Sequence, residues 1–410
     1  MAESRIAVYA QLPGDFHKTL AGQLVWNPDT AVGAFSYDED WRSRKNSYFL
    51  DPTVLIARPR KETRNEGVYG VIRDAGPDAW GRDQLIRQHG ALDEIGILQH
   101  APEDGAGNLS FHAEHRLRAY TLQEIDAVSA GFPLADTALA QAIQPGTSMG
   151  GAKPKLLAYD AGAFWIAKFP EKGDPECKGA ANEHAMLQLA ARCGIRACES
   201  RLHRLPDGRL VILVKRFDLS GTPERHTRLG FASAHTVLGM GDPRRDGQLK
   251  SYPLLRFEAR RWTRAEIGPE LWQRLAFNAL VSNMDDHARN HALIHEAGWA
   301  LSPAFDIVAA PATGPVRLCL QIHTGSVIAT PASLITSASE MGVERDLAIA
   351  TLREMSSLIL EQWRTHIGEE MSGAAIDQLV PAFRLAEEVR AFDFAGLPPP
   401  VKARRYRNQG

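Results

Sequence analysis

The sequence lacks most of the devices that mark a specialised setting. Its four cysteines, Cys177, Cys193, Cys198 and Cys319, form no CxxC pair, which at this size excludes a disulfide scaffold and points to reduced thiols. No window approaches the roughly 20 consecutive apolar residues that span a bilayer. The first residues, MAESRIAVYAQLPG, lack the basic start and apolar run of a secretory leader. A cytoplasmic protein with no membrane attachment is therefore expected. Charge of neither sign dominates: 47 basic against 49 acidic side chains leave a net charge of -2, which excludes bulk attraction to a polyanion as the main mode of action. Local basic patches remain, chiefly the tail from Lys402 through Arg404, Arg405 and Arg407. Internal repeats and long low-complexity segments are absent. So are the GxGxxG spacing, a Walker A lysine directly after the last glycine of a loop, and HExxH.

What is present is an ordinary globular composition, 44% apolar and 23% charged over 410 residues, enough for two or three domains with real cores. Residues 5 to 12 (RIAVYAQL) and 22 to 37 read as short strands, with Asn27-Pro28-Asp29 as a turn. A Gly-Pro-Asp break at 76–78 precedes a basic helix, so the first 130 residues or so form a small α+β unit. A helical piece, ALAQAIQ, stops at Pro145-Gly146. Residues 155 to 169 read as a hairpin turning at Ala161-Gly162 and ended by Pro170. From Ala181 to Cys193 the pattern becomes helical, with Met186, Leu189, Ala190 and Cys193 on one face and Gly194 as the stop. CESRLHRL and RLVILVKRFD then flank a Pro206-Asp207-Gly208 turn. After Asp218 helices dominate, the clearest running from Pro269 with Trp272, Leu275, Ala276, Ala279 and Leu280 as its apolar stripe.

Five features carry chemistry. PGTSMGGAKPK places Gly146, Gly150 and Gly151 between a helix end and a strand, where main-chain amides can approach phosphates because no Cβ intervenes. Lys168 ends the apolar strand WIAKFP. Glu183, three residues before Met186 and seven before Ala190, points toward the apolar side of its helix, and an inward carboxylate wants a cation. A strand lysine and a helix glutamate about fifteen residues apart are the pair with which kinases hold nucleotide phosphates. Further on, "NMDDHARNHALIH" separates Asp285 from Asn290 by five residues, the spacing of a kinase base and metal-binding asparagine. Asp306 in PAFDIV then follows a second hairpin, HALIHEAGWALS. Each feature alone is weak; their order along the chain is specific.

The histidines of that stretch, His287, His291 and His295, invite a different reading, because on a continuous helix they would stack like zinc ligands. HARNH, however, has no glutamate between its histidines to act as base, and ALIH and GWAL read as strands. A loop broken at Asn290 takes the three off any shared face, leaving His287 a hydrogen-bonding role in the loop.

Taken together, these residues resemble the HipA family, the serine/threonine kinase toxins of bacterial toxin–antitoxin systems, over nearly the whole chain. TSMGGAKPK looks like the family's phosphate loop, WIAKFP its ATP-lysine strand, and NEHAMLQLA its helix with the paired glutamate. VKRFD is similar to its hinge, NMDDHARN to its catalytic loop, and LSPAFDIV to its metal-binding segment. GPDAWGRDQLIRQHG and PEDGAGNLSF resemble the N-terminal cap of full-length members, which some shorter relatives lack. The resemblance implies an α+β, bilobal, protein-kinase-like fold with an N-terminal cap and a mainly helical C-terminal lobe. The expected segments are a cap over 1–130, an N-lobe over 131–218, a helical C-lobe over 219–395 and a Pro-rich basic tail over 396–410.

By position, the resemblance makes Asp285 the catalytic base, with Asn290 and Asp306 holding Mg2+. ATP would be bound by Lys168, Glu183, Gly150 and Gly151, by the backbone of Lys215 and Phe217 at adenine, and by Asp218 near the ribose. Ser148 falls where members autophosphorylate and eject the loop, switching themselves off; Thr147 is adjacent. The implied substrate is a translation protein such as an aminoacyl-tRNA synthetase. The implied partner is a HipB-like helix-turn-helix antitoxin, through which alone DNA would be contacted. Three departures stand out: Lys215 where an acidic residue is common, Asp286 directly after the base, and no DFG glycine after Asp306. Two other classes compete, an inactive co-repressor subunit and a kinase acting on a small molecule.

Overall fold

A computed structural model describes residues 3–58, 60–132, 139, 154–170, 175–176 and 179–397. Its opening sheet follows from period-two patterning. Strand β1 (Ser4–Gln11) buries Ile6, Val8 and Ala10 on one side. It pairs antiparallel with β2 (Lys18–Asn27), which pairs with β3 (Val32–Tyr37). The stretch expected from 22 to 37 is thus two strands, and the first starts four residues earlier. Asn27 makes the turn between them: its side-chain oxygen accepts from the amides of Asp29 (3.0 Å) and Thr30 (3.1 Å). A short strand, β4 (Leu109–Ser110), completes the order β3-β2-β1-β4. The helix Ala79–His89 begins where the Gly-Pro-Asp break put it, because Asp78 caps it by accepting from the Gly81 amide at 2.9 Å.

The second sheet carries the hairpin β5 (Lys155–Asp160) and β6 (Ala163–Lys168), followed by β7 (Ser200–Arg204) and β8 (Leu210–Lys215), in the order β5-β6-β8-β7. Ala161 and Gly162 both take positive φ (50° and 76°), the twist a two-residue hairpin turn demands. One face of the sheet buries Leu156, Ala158, Trp165, Ala167, Val211 and Leu213. The other buries Leu157 and Phe164, with Ile166 packed against them. By alternation Lys168 stands on this second face, beyond Phe164 and Ile166. After β8 come β9 (Leu219–Gly221), β10 (His226–Arg228) and β11 (Gly230–Ser233). The last pairs with β12 (Ala292–His295), which pairs with β13 (Trp299–Leu301).

Packing divides the chain into two compact units that do not follow chain order. The first takes Met1–Lys172, His203–Asp246 and Ala292–Ser302; the second takes Gly173–Leu202, Gly247–His291 and Pro303–Gly410. The strand-rich first unit therefore contains both the expected cap and the β5–β6 hairpin. The second is mainly helical. The helix Gly268–Leu280 buries Trp272, Leu275, Ala276, Ala279 and Leu280, each at most 1% exposed. The Trp272 indole N–H donates to Leu334 O at 3.1 Å in the helix Pro331–Glu340. The 23-residue helix Arg345–Ile367 packs against Ala180–Arg192 and Arg384–Ala391. No helix among the described residues is long and apolar enough to cross a membrane.

Leu213 of β8, 1% exposed, belongs to the core that covers one face of its sheet. Leu213→Ala should lower stability by about 2–5 kcal/mol in urea denaturation, the range for a buried leucine truncated in a close-packed core.

Candidate active site

The stretch with three histidines is a loop followed by a hairpin. After the helix Gly268–Leu280, Ser282 takes a left-handed backbone (φ 52°), one turn of 3-10 helix covers Ala288–Asn290, and β12 begins at Ala292. The histidines go separate ways. His287 Nε2 lies 3.9 Å from Asp285 Oδ1. His291 is buried with Nε2 3.1 Å from the Tyr252 hydroxyl. His295 stacks on Tyr48, ring centroids 3.7 Å apart. Burial, helped by Arg274 and His287, drives the His291 imidazole down to about 3, so it is neutral.

Adjacent aspartates in the loop face opposite ways. The Asp285 side chain is 80% exposed. The Asp286 side chain is wholly buried: one oxygen accepts from the Tyr252 hydroxyl at 2.8 Å, the other from the Cys319 amide at 2.5 Å. Tyr252 in turn accepts from the Asn278 amide at 3.2 Å, and Asn278 holds Asn283, amide to oxygen, at 3.1 Å. Burial is the main reason that the Asp286 carboxyl is pushed up to about 7; the donors from Tyr252 and Cys319 only partly offset it. Partial burial and the nearby Asp286 and Asp285 push the Cys319 thiol up, and that thiol donates to Met284 O at 3.1 Å.

Asn290 is 8% exposed, and its amide nitrogen donates to Asp285 O at 2.9 Å. This joins the two residues of the five-residue spacing directly and leaves Asn290 Oδ1 as the atom to meet a cation. Asn290 and Asp306 line one depression together with Asn283, Asp286, His291 and Phe305. Asp306 itself has a left-handed backbone (φ 59°), a strain worth about 1–3 kcal/mol that persists only where neighbours enforce it. Those neighbours are explicit. On one side Ala304 N donates to Arg196 O (2.7 Å) and Ala304 O accepts from Cys198 N (2.8 Å). On the other the Asn182 amide donates to Ala309 O (2.8 Å) and accepts from Ala309 N (2.9 Å). The oxygens of Asn290 and Asp306 are the donor type that fits Mg2+, which keeps waters and takes phosphates rather than a full protein cage. Among the described residues no group of three or more His, Cys, Asp or Glu side chains could hold a metal by itself.

Glu183 lies in the first turn of the helix Ala180–Arg192, 6% exposed and next to Asn182. It belongs to the second unit with Asp285, Asn290 and Asp306, whereas Lys168, Lys215, Phe217 and Asp218 belong to the first. Lys168 ends β6 opposite Ile212. In the hinge, Arg216 N still donates to Phe164 O at 2.9 Å, so by strand alternation the main-chain groups of Lys215 face away from β6. The Lys215 ammonium lies over the Trp165 ring at 6.0 Å, so the departure from an acidic residue here concerns a side chain turned onto the sheet. Asp218 is 2% exposed, and its carboxylate accepts from Arg216 Nε and Nη2 (both 2.7 Å) and from Gly107 N (2.7 Å). Burial would raise it, but the charge and hydrogen bonds of Arg216 outweigh burial and hold it below the usual carboxylate range. Any ribose contact would share oxygens already engaged. Ser148, Thr147, Gly150 and Gly151, the ALAQAIQ piece and the basic tail lie outside the described residues.

Sequence reasoning passed over Asp286, Tyr252, Asn278, Asn182 and Arg216. Asn182 had a local signal, a second polar residue beside Glu183 on the inward side of the helix. Arg216 too has a local signal in Asp218, two residues on; the bonds of Asp286 to Tyr252 and Cys319, and of Asn278 to Tyr252, span tens of residues and leave no local pattern.

Comparison with known proteins agrees with this architecture. A family model for the HipA-like C-terminal domain matches residues 147–363, and one for the HipA N-terminal domain matches residues 15–112. HipA in the HipA, HipB and operator DNA complex of Shewanella oneidensis MR-1 is similar in structure, with TM-score 0.66 and 19% identity over 95% of this chain and 100% of that one. The proinflammatory kinase CtkA of Helicobacter pylori overlaps 60% of this chain and 94% of its own at 13% identity, with a TM-score of 0.41. No curated protein matches the chain. The fold is α+β, with a strand-rich and a mainly helical unit, and is HipA-like. The chain belongs to the HipA family.

The position of Asp286 sets a pH dependence. A carboxyl raised from 3.8 to about 7 on folding binds its proton more tightly in the native state, so its contribution to stability is full below pH 4 and lost as pH rises through 7. The stability of the wild type minus that of Asp286→Asn should fall across this window by about 4 kcal/mol, at roughly 1.4 kcal/mol per pKa unit, and then level off. Chemical denaturation of both proteins from pH 4 to 8 measures it; a flat difference would mean that Asp286 is not buried as a carboxyl.

Proposed function

We propose that the chain is an ATP- and Mg2+-dependent serine/threonine protein kinase of the HipA toxin type. The observation that carries this is the loop in which an exposed Asp285 is tied through its own carbonyl to Asn290, whose remaining oxygen shares a depression with Asp306. Asp285 orients a substrate hydroxyl and takes its proton, and its exposure suits an acceptor delivered on another protein. Asn290 and Asp306 hold Mg2+, which when bound neutralises charge on the transferring phosphate. Lys168 binds the nucleotide phosphates, paired with Glu183. The main chain of Lys215 and Phe217 reads adenine, with Asp218 beneath the ribose side of the hinge, and Gly150 and Gly151 cover the phosphates.

The substrate class is a translation protein such as an aminoacyl-tRNA synthetase, whose modification arrests growth. Phosphorylation at Ser148 would place a dianion where ATP phosphates must sit and so silence the enzyme. The partner is a HipB-like DNA-binding antitoxin. The Shewanella relative, seen with HipB and operator DNA, supports this, and the net charge of -2 suits a chain that meets DNA through its partner. The cap over 1–130, the N-lobe over 131–218, the C-lobe over 219–395 and the tail divide the chain by role.

Asp285→Asn should lower autophosphorylation roughly 100-fold or more, the scale of a lost general base, while leaving nucleotide affinity near that of the wild type; label transfer and calorimetry measure the two. Asp285→Asn with undiminished transfer would remove Asp285 from the mechanism. Mass spectrometry of protein expressed with Mg-ATP should find phosphate on Ser148. Phosphate on Thr147 or elsewhere instead would overturn the silencing mechanism.

A further inference from the structure

The hinge is not held by its own sheet alone. Two arginines, Arg216 within it and Arg228 on the strand β10 that follows, both have buried side chains, and both donate to one loop of the N-terminal region, PEDGAGN at 102–108. Arg216 Nη1 donates to Asp104 O at 2.8 Å and Nη2 to Gly105 O at 2.9 Å, while Arg228 Nη2 also reaches Gly105 O. The loop answers with a donor, Gly107 N to Asp218 at 2.7 Å. Three loop main-chain groups thus complete the pairing of three buried charged side chains, two of which lie within the four residues Lys215–Asp218.

The loop is itself anchored at both ends. Glu103 accepts from Lys18, from Ser110 and from the Arg116 amide (2.7 Å). Asn108 donates to Gln11 O at 2.5 Å and to the Tyr48 hydroxyl at 3.0 Å. Gly107 has φ +84°, and a Cβ there would come within 2.7 Å of Phe231 Cβ, so the loop fits only with glycine at that position. Without the loop, two guanidinium groups and a carboxylate would stay buried with main-chain partners missing, which is strongly unfavourable for charged groups.

We propose that the loop 103–108 is a positioning element of the nucleotide site: it fixes the course of Lys215–Asp218 and thereby sets nucleotide affinity and the preference for adenine over guanine. This rests on the reading of Lys215–Asp218 as the nucleotide hinge. The N-terminal cap is then part of the ATP site in this chain, and not a separable module.

The test compares the full-length wild type with Gly107→Ala, which strains the loop and leaves every hinge side chain unchanged, and Arg216→Lys, which keeps the charge and loses the fork. Affinities for Mg-ATP and Mg-GTP are measured by calorimetry, KM and kcat for ATP by autophosphorylation, and folding by circular dichroism. Both variants should weaken ATP binding about tenfold, the effect of one lost charge-assisted hydrogen bond, with a rise in KM exceeding any fall in kcat and a narrowed ATP-to-GTP ratio. Folded variants with wild-type affinity and ratio would overturn the clamp and leave the kinase reading intact. Wild type that binds neither nucleotide would overturn the hinge reading itself. Should either variant fail to fold, hydrogen exchange on the wild type decides: Mg-ATP should slow exchange at 103–108 together with 213–218, and protection confined to 213–218 would contradict the proposal.

Discussion

The second unit is organised around a carboxylate buried without a cation. Asp286 has no side-chain ion-pair partner among the described residues; what holds it is the Tyr252 hydroxyl and the Cys319 amide. Burying a carboxyl is unfavourable unless its oxygens are hydrogen-bonded, so the loop can place Asp286 inward only where those donors wait. Once it does, the alternation of the chain turns Asp285 outward and brings Asn290 back under it. The separation of the solvent-facing Asp285, the proposed base, from the inward-facing Asn290, a proposed metal ligand, goes with that single anchored side chain.

The same logic recurs at Asp306 and in the first unit. A left-handed aspartate is stable only because the chain is pinned on both sides, by the Arg196–Cys198 backbone and by both polar atoms of the Asn182 amide. Asn182 sits beside Glu183, so one helix turn carries both the clamp on the chain after Asp306 and the carboxylate proposed to serve the nucleotide. In the hinge, Arg216 and Asp218 satisfy each other and then lean on the 103–108 loop. At each of these places a group placed for chemistry depends on a neighbour that does no chemistry.

Much of this was legible from local pattern. The 155–169 hairpin, the Asp78-capped helix and the stop at Gly194 are written in turn residues, caps and periodicity, and appear within a residue or so of where these place them. The loop character of 283–291 followed from the strand-like ALIH and GWAL beside it. The Asp285–Asn290 spacing was visible, though not the hydrogen bond that makes it meaningful. Asp286 looked like a departure from the family loop and is instead its anchor, because burial partners 34 and 33 residues away leave no local trace. The two units also could not be read in chain order, since β12 and β13 leave the helical unit to pair with β11.

The central claim is phosphoryl transfer, and one measurement addresses it directly. Purified protein is incubated with γ-labelled ATP and Mg2+ in a lysate, and labelled proteins are separated and identified. The account predicts label on serine or threonine of the chain itself and of at least one translation protein, lost when Mg2+ is chelated. Label on no protein, with nucleotide bound but not turned over, would contradict it.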